Sequence, residues 1–195
     1  VIHALALHWA NDPVGQLVQC RRALQPDGLL LAALFGGQTL NELRTALAET
    51  EVRVMGGLSP RVAPMGEIRD LGALLQRADL ALPVADALPL SVTYASALAL
   101  MHDLRAMGET NVMGARDRRP PPRHFFAEAA AHYAQHFPAE GDRIRATFEI
   151  VYLTGWAPSA NQQKPLRPGS ATARLADALG AEEHSAGERP DGGAD

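Results

Sequence analysis

The 195-residue sequence lacks the features that mark several specialised classes of protein. Its single cysteine, Cys20, cannot form an internal disulfide, which favours a reducing, cytoplasmic setting. No apolar run approaches the roughly 20 residues of a membrane-spanning helix, and no charged segment leads into an apolar one as in a signal peptide. The net charge of −4 leaves no basic excess for nucleic acid. Composition therefore predicts a globular protein with no membrane span and no nucleic-acid partner.

The chain opens with an apolar run of strand length, Val1–Leu7, followed by His8 and Trp9. Asp12 and Pro13 then signal a helix start, because aspartate caps a first turn and proline suits the first helical position. A strand feeding a helix is the repeating step of an α/β sheet, whose ligands lie at the carboxyl ends of the strands. We therefore predict that His8 and Trp9 border a ligand. The alternative is a packed tryptophan and a solvated histidine.

Hydrophobic periodicity and turn residues divide the rest of the chain into further elements. The predicted elements are a helix over 12–24, a strand over 29–35, helices over 39–55 and 66–79, two extended segments over 80–94 separated by prolines, helices over 96–108 and 124–137, and a strand over 146–156. Thr39 and Glu42 form a capping-box pattern. The last strand is apolar on both faces, which predicts an interior position in the sheet.

Several segments together resemble a known family. These are Leu5–Asp12, Arg21–Gly28, Leu34–Leu40, Ser59–Val62, Asp103–Asn111 and Ala146–Tyr152. The chain resembles the C-terminal half of class I S-adenosylmethionine-dependent methyltransferases. Within that family it is similar to the branch with the malonyl-acyl-carrier-protein methyltransferase of biotin synthesis and the methyltransferase-like assembly factor of respiratory complex I. The Pro-Asp-Gly turn at 26–28 is common to the superfamily, whereas Arg-Ala-Met-Gly-Glu-Thr-Asn at 105–111 is narrower and points to the assembly-factor branch.

The resemblance implies a partial Rossmann-like α/β fold. The family's sheet has the strand order 3-2-1-4-5-7-6, with strand 7 antiparallel. Strands 4, 5, 6 and 7 with their flanking helices map onto 1–7, 29–35, 82–94 and 146–156, and the N-terminal strands are missing. No Gly-x-Gly-x-Gly loop follows any strand. We expect residues 1–158 to be the C-terminal part of a methyltransferase-like domain, and 159–195 to be a polar, disordered tail.

The resemblance also implies a function, with alternatives. The first is methyl transfer from S-adenosylmethionine to a carboxylate or to a protein-borne acceptor, such as an acyl carrier protein or a complex I subunit. The second is an assembly factor for the respiratory NADH dehydrogenase that hydroxylates a protein arginine. The third is a truncated remnant without activity. The expected location is the cytoplasm, or the mitochondrial matrix in a eukaryote. The parent protein is the expected enzyme, and the fragment alone is expected to be inactive.

On this family plan, His8 and Trp9 contact the cofactor and five residues are candidates for substrate binding. Gly36, Gly37 and Gln38 follow strand 5 and either line the substrate pocket or form a simple turn. Arg61 and Arg105 could each grip a carboxylate or a phosphate through paired N–H donors, or could simply be solvated.

Three further features have weaker functional interpretations. The arginine-rich run 116–123 could dock an acidic partner, although its prolines favour a solvated loop. His132 and His136 share a helix face, but no acidic or cysteine ligand joins them, so we predict no metal site. Cys20 has no histidine partner in a recognisable pattern, which argues against a nucleophilic role.

Overall fold

Five strands form one mixed sheet in the part of the chain that the computed structural model describes, which is residues 1–163, 170, 173 and 175–180. The order along the sheet is β1 (Ile2–Ala4), β2 (Leu29–Phe35), β5 (Arg143–Trp156) and β3 (Ala81–Tyr94), and β4 (Pro138–Ala139) pairs with β5. β1 and β2 are parallel, and β5 runs antiparallel to both β2 and β3. This arrangement confirms the predicted α/β fold, with strands 4, 5, 7 and 6 in adjacent positions and an antiparallel strand 7.

Helices cover the sheet from both sides. They are α1 (Pro13–Ala23), α2 (Asn41–Met55), α3 (Ile68–Arg77), α4 (Ala97–Ala106) and α5 (Phe125–His136); α6 (Leu175–Leu179) belongs to a separate unit. Alternate residues of β5 face opposite sides, and each side has its own core. Leu17, Leu30 and Leu75 belong to one core, whereas Phe125 and Tyr133 belong to the other. None of the described helices is long and apolar enough to cross a membrane.

The first strand is shorter than its apolar sequence predicts. β1 ends at Ala4, Leu5 takes a left-handed backbone conformation with φ of 45°, and Leu7–Trp9 form one turn of 3-10 helix. Leu7 is buried in the core beneath α1, and the chain must leave the strand direction to place it there. The predicted strand over 1–7 is therefore corrected to three residues, and His8 and Trp9 lie on a helical turn.

The segment 80–94 is one long strand rather than two pieces. β3 is at the edge of the described sheet, where it pairs with β5 on one side. Pro89, which has no N–H to donate, is tolerated there because its nitrogen can point to the open side of the strand. The register shifts between Ala81 and Val84, and this irregularity contains Pro83. The prediction that prolines interrupt the segment is therefore wrong, because edge strands accept proline.

Two predicted helix caps are confirmed and a third is wrong. The Asp12 carboxylate accepts a hydrogen bond from the Gly15 N–H at 2.8 Å, and the Ser96 hydroxyl accepts one from Ala99 N–H at 3.2 Å. The capping box at Thr39 does not form, because no side chain caps α2. Glu42 instead accepts hydrogen bonds from the backbone N–H and hydroxyl of Thr147 at 3.0 and 2.6 Å. Its carboxylate joins α2 to β5.

The chain separates into two compact units, Val1–Ala160 and Asn161–Asp195. The first contains the whole sheet and both cores. Within the second, the structure describes α6. Of the predicted disordered tail over 159–195, residues 164–169, 171, 172, 174 and 181–195 lie outside the described residues, and the boundary at 158 stays a prediction.

Candidate functional site

A cavity of about 370 Å³ lies where the 3-10 turn after β1 meets α2, the loop before α3, the end of α4 and the start of α5. This volume is within the range of ligand sites, which are mostly apolar with a few polar groups. His8, Trp9, Arg61 and Arg105, predicted from three separate sequence segments, all line it. The fold therefore brings four of the seven candidate residues to one place.

The Glu109 carboxylate connects His8 and Trp9, the first two residues of the cavity wall along the chain. One oxygen of its carboxylate, Oε1, lies 3.1 Å from His8 Nε2 and accepts a hydrogen bond from the Trp9 indole N–H at 3.2 Å. The His8 side chain is only 5% exposed and that of Glu109 15% exposed, so the group is shielded from water. Trp9 itself is 41% exposed, and its indole forms an open wall.

A short loop closes one side of the cavity. α4 ends near Gly108, whose φ of 86° suits glycine, and residues 109–113 then line the cavity; we call this loop the strap. Its first residue is held by His8 and Trp9. In its middle, the Asn111 side-chain amide donates to the Pro60 carbonyl at 2.9 Å and accepts from the Met113 N–H at 3.1 Å. The strap is therefore tethered to two different parts of the chain.

Arg61 forms part of the cavity wall, and a buried carboxylate neutralises it. Its Nη2 donates to Glu51 at 2.7 Å, and its guanidinium carbon lies 4.4 Å from the centre of the Phe125 ring. Glu51 also accepts hydrogen bonds from the Ser59 N–H and hydroxyl at 3.1 and 2.7 Å. Burial raises the pKa of Glu51, but the bonds from Ser59 and Arg61 outweigh it and hold the pKa below its usual value.

Arg105 is different, because no described residue neutralises its charge. It lies in the last turn of α4, is exposed, and lines the cavity. Among the described residues, its guanidinium has no hydrogen-bond or ion-pair partner. A free guanidinium at the mouth of an apolar cavity can receive an anionic group through two parallel N–H donors.

Gly36, Gly37 and Gln38 lie outside this cavity. The Gln38 N–H donates to the Glu149 carboxylate at 3.1 Å, and Gly36 N–H donates to the Glu149 carbonyl at 2.9 Å. A Cβ at Gly36 would overlap the Glu149 carboxylate, and one at Gly37 would overlap that of Glu67. A Cβ at Gly36 would also overlap the Val151 side chain, so close packing accounts for this glycine, whereas at Gly37 only the flexible end of the Glu67 side chain would have to move. Their substrate role remains a prediction.

The arginine-rich run contains both paired and unpaired charges. Arg119 holds Asp117 through a bidentate contact, and these hydrogen bonds lower the pKa of Asp117 to about 2. Arg116 donates to the Met113 carbonyl at 2.8 Å. Arg118 and Arg123 are exposed and have no partner within the described residues. Two cations are therefore available on this loop.

The two histidines of α5 are occupied in other ways. The His132 and His136 rings stack with centres 4.0 Å apart, and His132 Nε2 lies 2.9 Å from Glu49. In the described part of the chain, no three histidine, cysteine or acidic side chains cluster as metal ligands. Cys20 is a free, half-buried thiol on α1.

Sequence reasoning missed Glu109, Asn111 and Glu51 as parts of this site. Glu109 meets partners about one hundred positions away, at His8 and Trp9, and no local pattern reveals such a contact. The signal that existed was the narrow motif at 105–111, which contains Arg105, Glu109 and Asn111. In the structure, this motif forms one side of the cavity.

Comparison with known proteins relates this chain to two groups of proteins. No model of a known protein family matches the chain. It is 38% identical over 180 residues to "Arginine-hydroxylase NDUFAF5, mitochondrial" of Dictyostelium discoideum, covering 92% of this chain and 41% of that protein. The Homo sapiens protein of the same name is 38% identical over 172 residues, covering 88% and 50%. A Malonyl-[acyl-carrier protein] O-methyltransferase of Laribacter hongkongensis is 34% identical over 166 residues, covering 85% and 53%.

The chain is similar over most of its length to the methyltransferase-like proteins that these relatives represent. Its similarity extends to two branches, the arginine hydroxylases and the malonyl-acyl-carrier-protein methyltransferases. The chain spans about half the length of the curated relatives it matches. Among solved structures, the YcgJ protein of Bacillus subtilis superposes with a TM-score of 0.45 at 14% identity, covering 81% of this chain and 64% of that one.

Proposed function

We propose that this chain is part of an S-adenosylmethionine-dependent methyltransferase and that its cavity receives the acceptor. Similarity to the methyltransferase relatives supports methyl transfer, and the position of the cavity beyond the carboxyl end of β1 supports ligand binding there. The observation that carries the proposal is Arg105, which is exposed at the cavity and unpaired among the residues that the structure describes. It suits an acceptor with a carboxylate.

Of the residues present, Trp9 fits one side of the cofactor. The Trp9 indole is exposed at the end of β1, where it offers an apolar face to an adenosine group. His8 is turned into the cavity wall by its contact with Glu109, so we assign it to support of Trp9 rather than to the cofactor. The sequence has no glycine-rich loop for the remainder of the cofactor. When bound, S-adenosylmethionine would supply a methyl group that is already activated.

The chain's own residues would then act by binding and orientation. Arg105 would hold the acceptor carboxylate, and the apolar lining and the strap would exclude water from it. A carboxylate is ionised near neutral pH, so its oxygen needs no base to remove a proton. This agrees with a cavity in which Glu109 serves His8 and Trp9.

Arginine hydroxylation is the second candidate function. The arginine hydroxylases are 38–39% identical over 172–180 residues, against 32–34% over 155–166 residues for the methyltransferases. For such a substrate the receptor would be Glu109, because a carboxylate is the natural partner of a guanidinium. The acceptor would then be a protein arginine, and a subunit of respiratory complex I is the partner we expect for that activity.

Two substitutions separate these candidates in a protein of the relatives' length. Arg105→Gln should abolish most turnover of a carboxylate acceptor and leave arginine hydroxylation largely intact. Glu109→Gln should abolish most arginine hydroxylation and reduce turnover of a carboxylate acceptor less, because the neutral amide can still accept the hydrogen bond from the Trp9 indole. Arg77→Gln is the matched control, because Arg77 is also an exposed arginine in the last turn of a helix. Equal activity of the Arg105→Gln and Arg77→Gln proteins on a carboxylate acceptor would refute the proposal.

A protein-borne acceptor would dock beside the cavity mouth. Arg118 and Arg123 are the available cations on the loop that follows the strap, and they suit the acidic surface of an acyl carrier protein. We propose that the protein is located in the cytoplasm, or in the mitochondrial matrix if its source is a eukaryote. The second location is supported by the names of the arginine-hydroxylase relatives, which call them mitochondrial.

A further inference from the structure

A second, smaller cavity lies next to His8. It is found where the 3-10 turn after β1, the start of α1, the end of β2 and one face of α3 meet, and its volume is about 160 Å³. His8, Pro64 and Met65 line both cavities, whereas Trp9 and Glu109 line only the larger one. The small cavity is therefore a separate space that shares one wall with the candidate site.

The wall of the small cavity is almost entirely apolar. Among the described residues that line it, His8 has the only polar side chain, and the others are apolar residues such as Leu34, Phe35 and Leu71. An apolar cavity of about 150 Å³ stays free of water and accepts a single small ring such as benzene. Since no carboxylate, lysine or arginine belongs to the described wall, its size and lining suit an uncharged molecule of one ring.

His8 gives this apolar space one polar atom. Its side chain is 5% exposed, and its Nε2 lies 3.1 Å from the Glu109 carboxylate. Its Nδ1 is buried and has no hydrogen-bond partner in the part of the chain that the structure describes. The two nitrogens of an imidazole point in different directions, so Nδ1 faces away from Glu109. The Phe35 ring, whose centre lies 5.0 Å from that of His8, holds the imidazole in this orientation.

Glu109 also determines which nitrogen of His8 carries hydrogen. A carboxylate can only accept, so its hydrogen bond with Nε2 requires the hydrogen to be on Nε2. In the neutral imidazole, the other nitrogen is then an acceptor. A buried acceptor without a partner is unfavourable, because it has lost its hydrogen bond to water. A ligand that donates one hydrogen bond would remove this cost.

We propose that the small cavity binds an uncharged molecule of one ring whose single O–H or N–H donates to His8 Nδ1. A phenol or a pyrrole-type ring has this chemistry. A water molecule suits the space less well, because a buried water needs about two to four polar partners and the described wall has one polar side chain. This site goes beyond the proposed function and does not depend on methyl transfer.

The first test uses the 195-residue chain and two probes of similar size, phenol and fluorobenzene. Fluorobenzene has the same ring but no O–H. In an NMR titration, phenol should bind saturably with a dissociation constant of about 1 mM, as expected for so small a ligand. Fluorobenzene should bind about tenfold more weakly, because it leaves Nδ1 without a partner.

A second measurement observes the hydrogen bond itself. With histidine labelled with nitrogen-15, the His8 signals of the free chain should show hydrogen on Nε2 and none on Nδ1. Phenol should shift the Nδ1 signal towards that of a protonated nitrogen, and fluorobenzene should leave it in place. His8→Phe identifies these signals and keeps a ring in the wall, and it should remove the preference for phenol over fluorobenzene.

Two alanine substitutions locate the ligand. Ala10 lines only the small cavity, Ala63 lines only the larger one, and both are half-buried. Ala10→Leu adds a side chain to the small cavity and should abolish saturable binding of phenol. Ala63→Leu is the matched control and should bind phenol as the parent chain does.

Four results would overturn the inference. They are the absence of saturable phenol binding, equal affinity of the parent chain for the two probes, hydrogen on Nδ1 in the free chain, and a loss of phenol binding in Ala63→Leu as large as that in Ala10→Leu. Each is measured without the methyl donor, so none of them tests the proposed function. A protein that transfers no methyl group but binds phenol at His8 would refute the proposed function alone.

Discussion

Replacing Glu51 with glutamine tests how the cavity wall is held together. The Glu51 side chain is 3% exposed and accepts three hydrogen bonds, two from Ser59 and one from Arg61. Glutamine keeps the shape and one acceptor oxygen but removes the charge. Arg61, whose side chain is 16% exposed, would then keep a positive charge in a largely apolar setting above the Phe125 ring.

The expected loss is large for a single substitution. Removing one partner of a buried ion pair costs about 3–5 kcal/mol. We expect the lower end, about 3 kcal/mol, because glutamine retains a hydrogen bond and Arg61 keeps some solvent contact. With a urea slope of about 2 kcal/mol per molar, the unfolding midpoint should fall by about 1.5 M.

The stability lost in Glu51→Gln should also depend on pH. The hydrogen bonds to Glu51 lower its pKa, and this sets the direction of the dependence. The pKa of Glu51 is held below its usual value of 4.5 in the folded chain, despite burial, which raises it. The carboxylate therefore stabilises the fold above that usual value, and the stabilisation disappears as pH falls through the lower folded-state pKa. The difference between the parent chain and Glu51→Gln should accordingly shrink in acid.

Urea unfolding followed by circular dichroism measures these effects. Arg53→Gln is the control, because the Arg53–Glu128 pair is exposed and should contribute about 0–1 kcal/mol. The double substitution Glu51→Gln with Arg61→Met should recover part of the loss, since no unpaired charge remains. A loss below about 1 kcal/mol for Glu51→Gln, or simple addition of the two single losses in the double variant, would refute this account of the cavity wall.

Four further predictions concern other parts of the molecule. Ser96→Ala removes the cap of α4 and should cost about 1 kcal/mol in urea unfolding; a stability equal to the parent's would show that the cap is dispensable. Leu100→Ala opens a void in a fully buried position and should cost about 2–5 kcal/mol; a cost near zero would contradict the packing. Trp9→Ala should reduce turnover in a protein of the relatives' length more than it reduces stability, since Trp9 is 41% exposed; unchanged turnover would remove Trp9 from the site. The 195-residue chain should not bind S-adenosylmethionine in calorimetry, because it has no glycine-rich loop, and a micromolar dissociation constant would contradict this.

Local patterns were sufficient for most elements of the fold. β2 has the predicted bounds, and Asp12 and Ser96 cap their helices as expected, because these signals involve neighbours within three residues. The resemblance, rather than periodicity, supplied the order of the strands. The errors arose where distant contacts decide the outcome. Burial of Leu7 sets the end of β1. Glu42 accepts hydrogen bonds from Thr147 on β5 instead of forming a capping box.

The candidate site shows the same difference between local signals, which the sequence reveals, and distant contacts, which it does not. His8 and Trp9 could be placed at a ligand because a strand end is visible in sequence. Glu109 could not, since its role depends on a contact with those residues across the fold. Arg61 and Arg105 look alike as isolated arginines, and only the structure shows that Glu51 neutralises one of them. Which arginine is free to bind a ligand is therefore a property of tertiary structure.

The central claim, that this chain serves methyl transfer, is tested most directly by following the methyl group itself. A protein of the relatives' length would be incubated with S-adenosylmethionine deuterated in its methyl group and a carboxylate-ended acyl acceptor, and the product analysed by mass spectrometry. We expect the acceptor to carry a deuterated methyl ester. Arg105→Gln should strongly reduce the formation of this ester. A protein arginine that gains an oxygen atom, with no deuterium transferred to any acceptor, would contradict it.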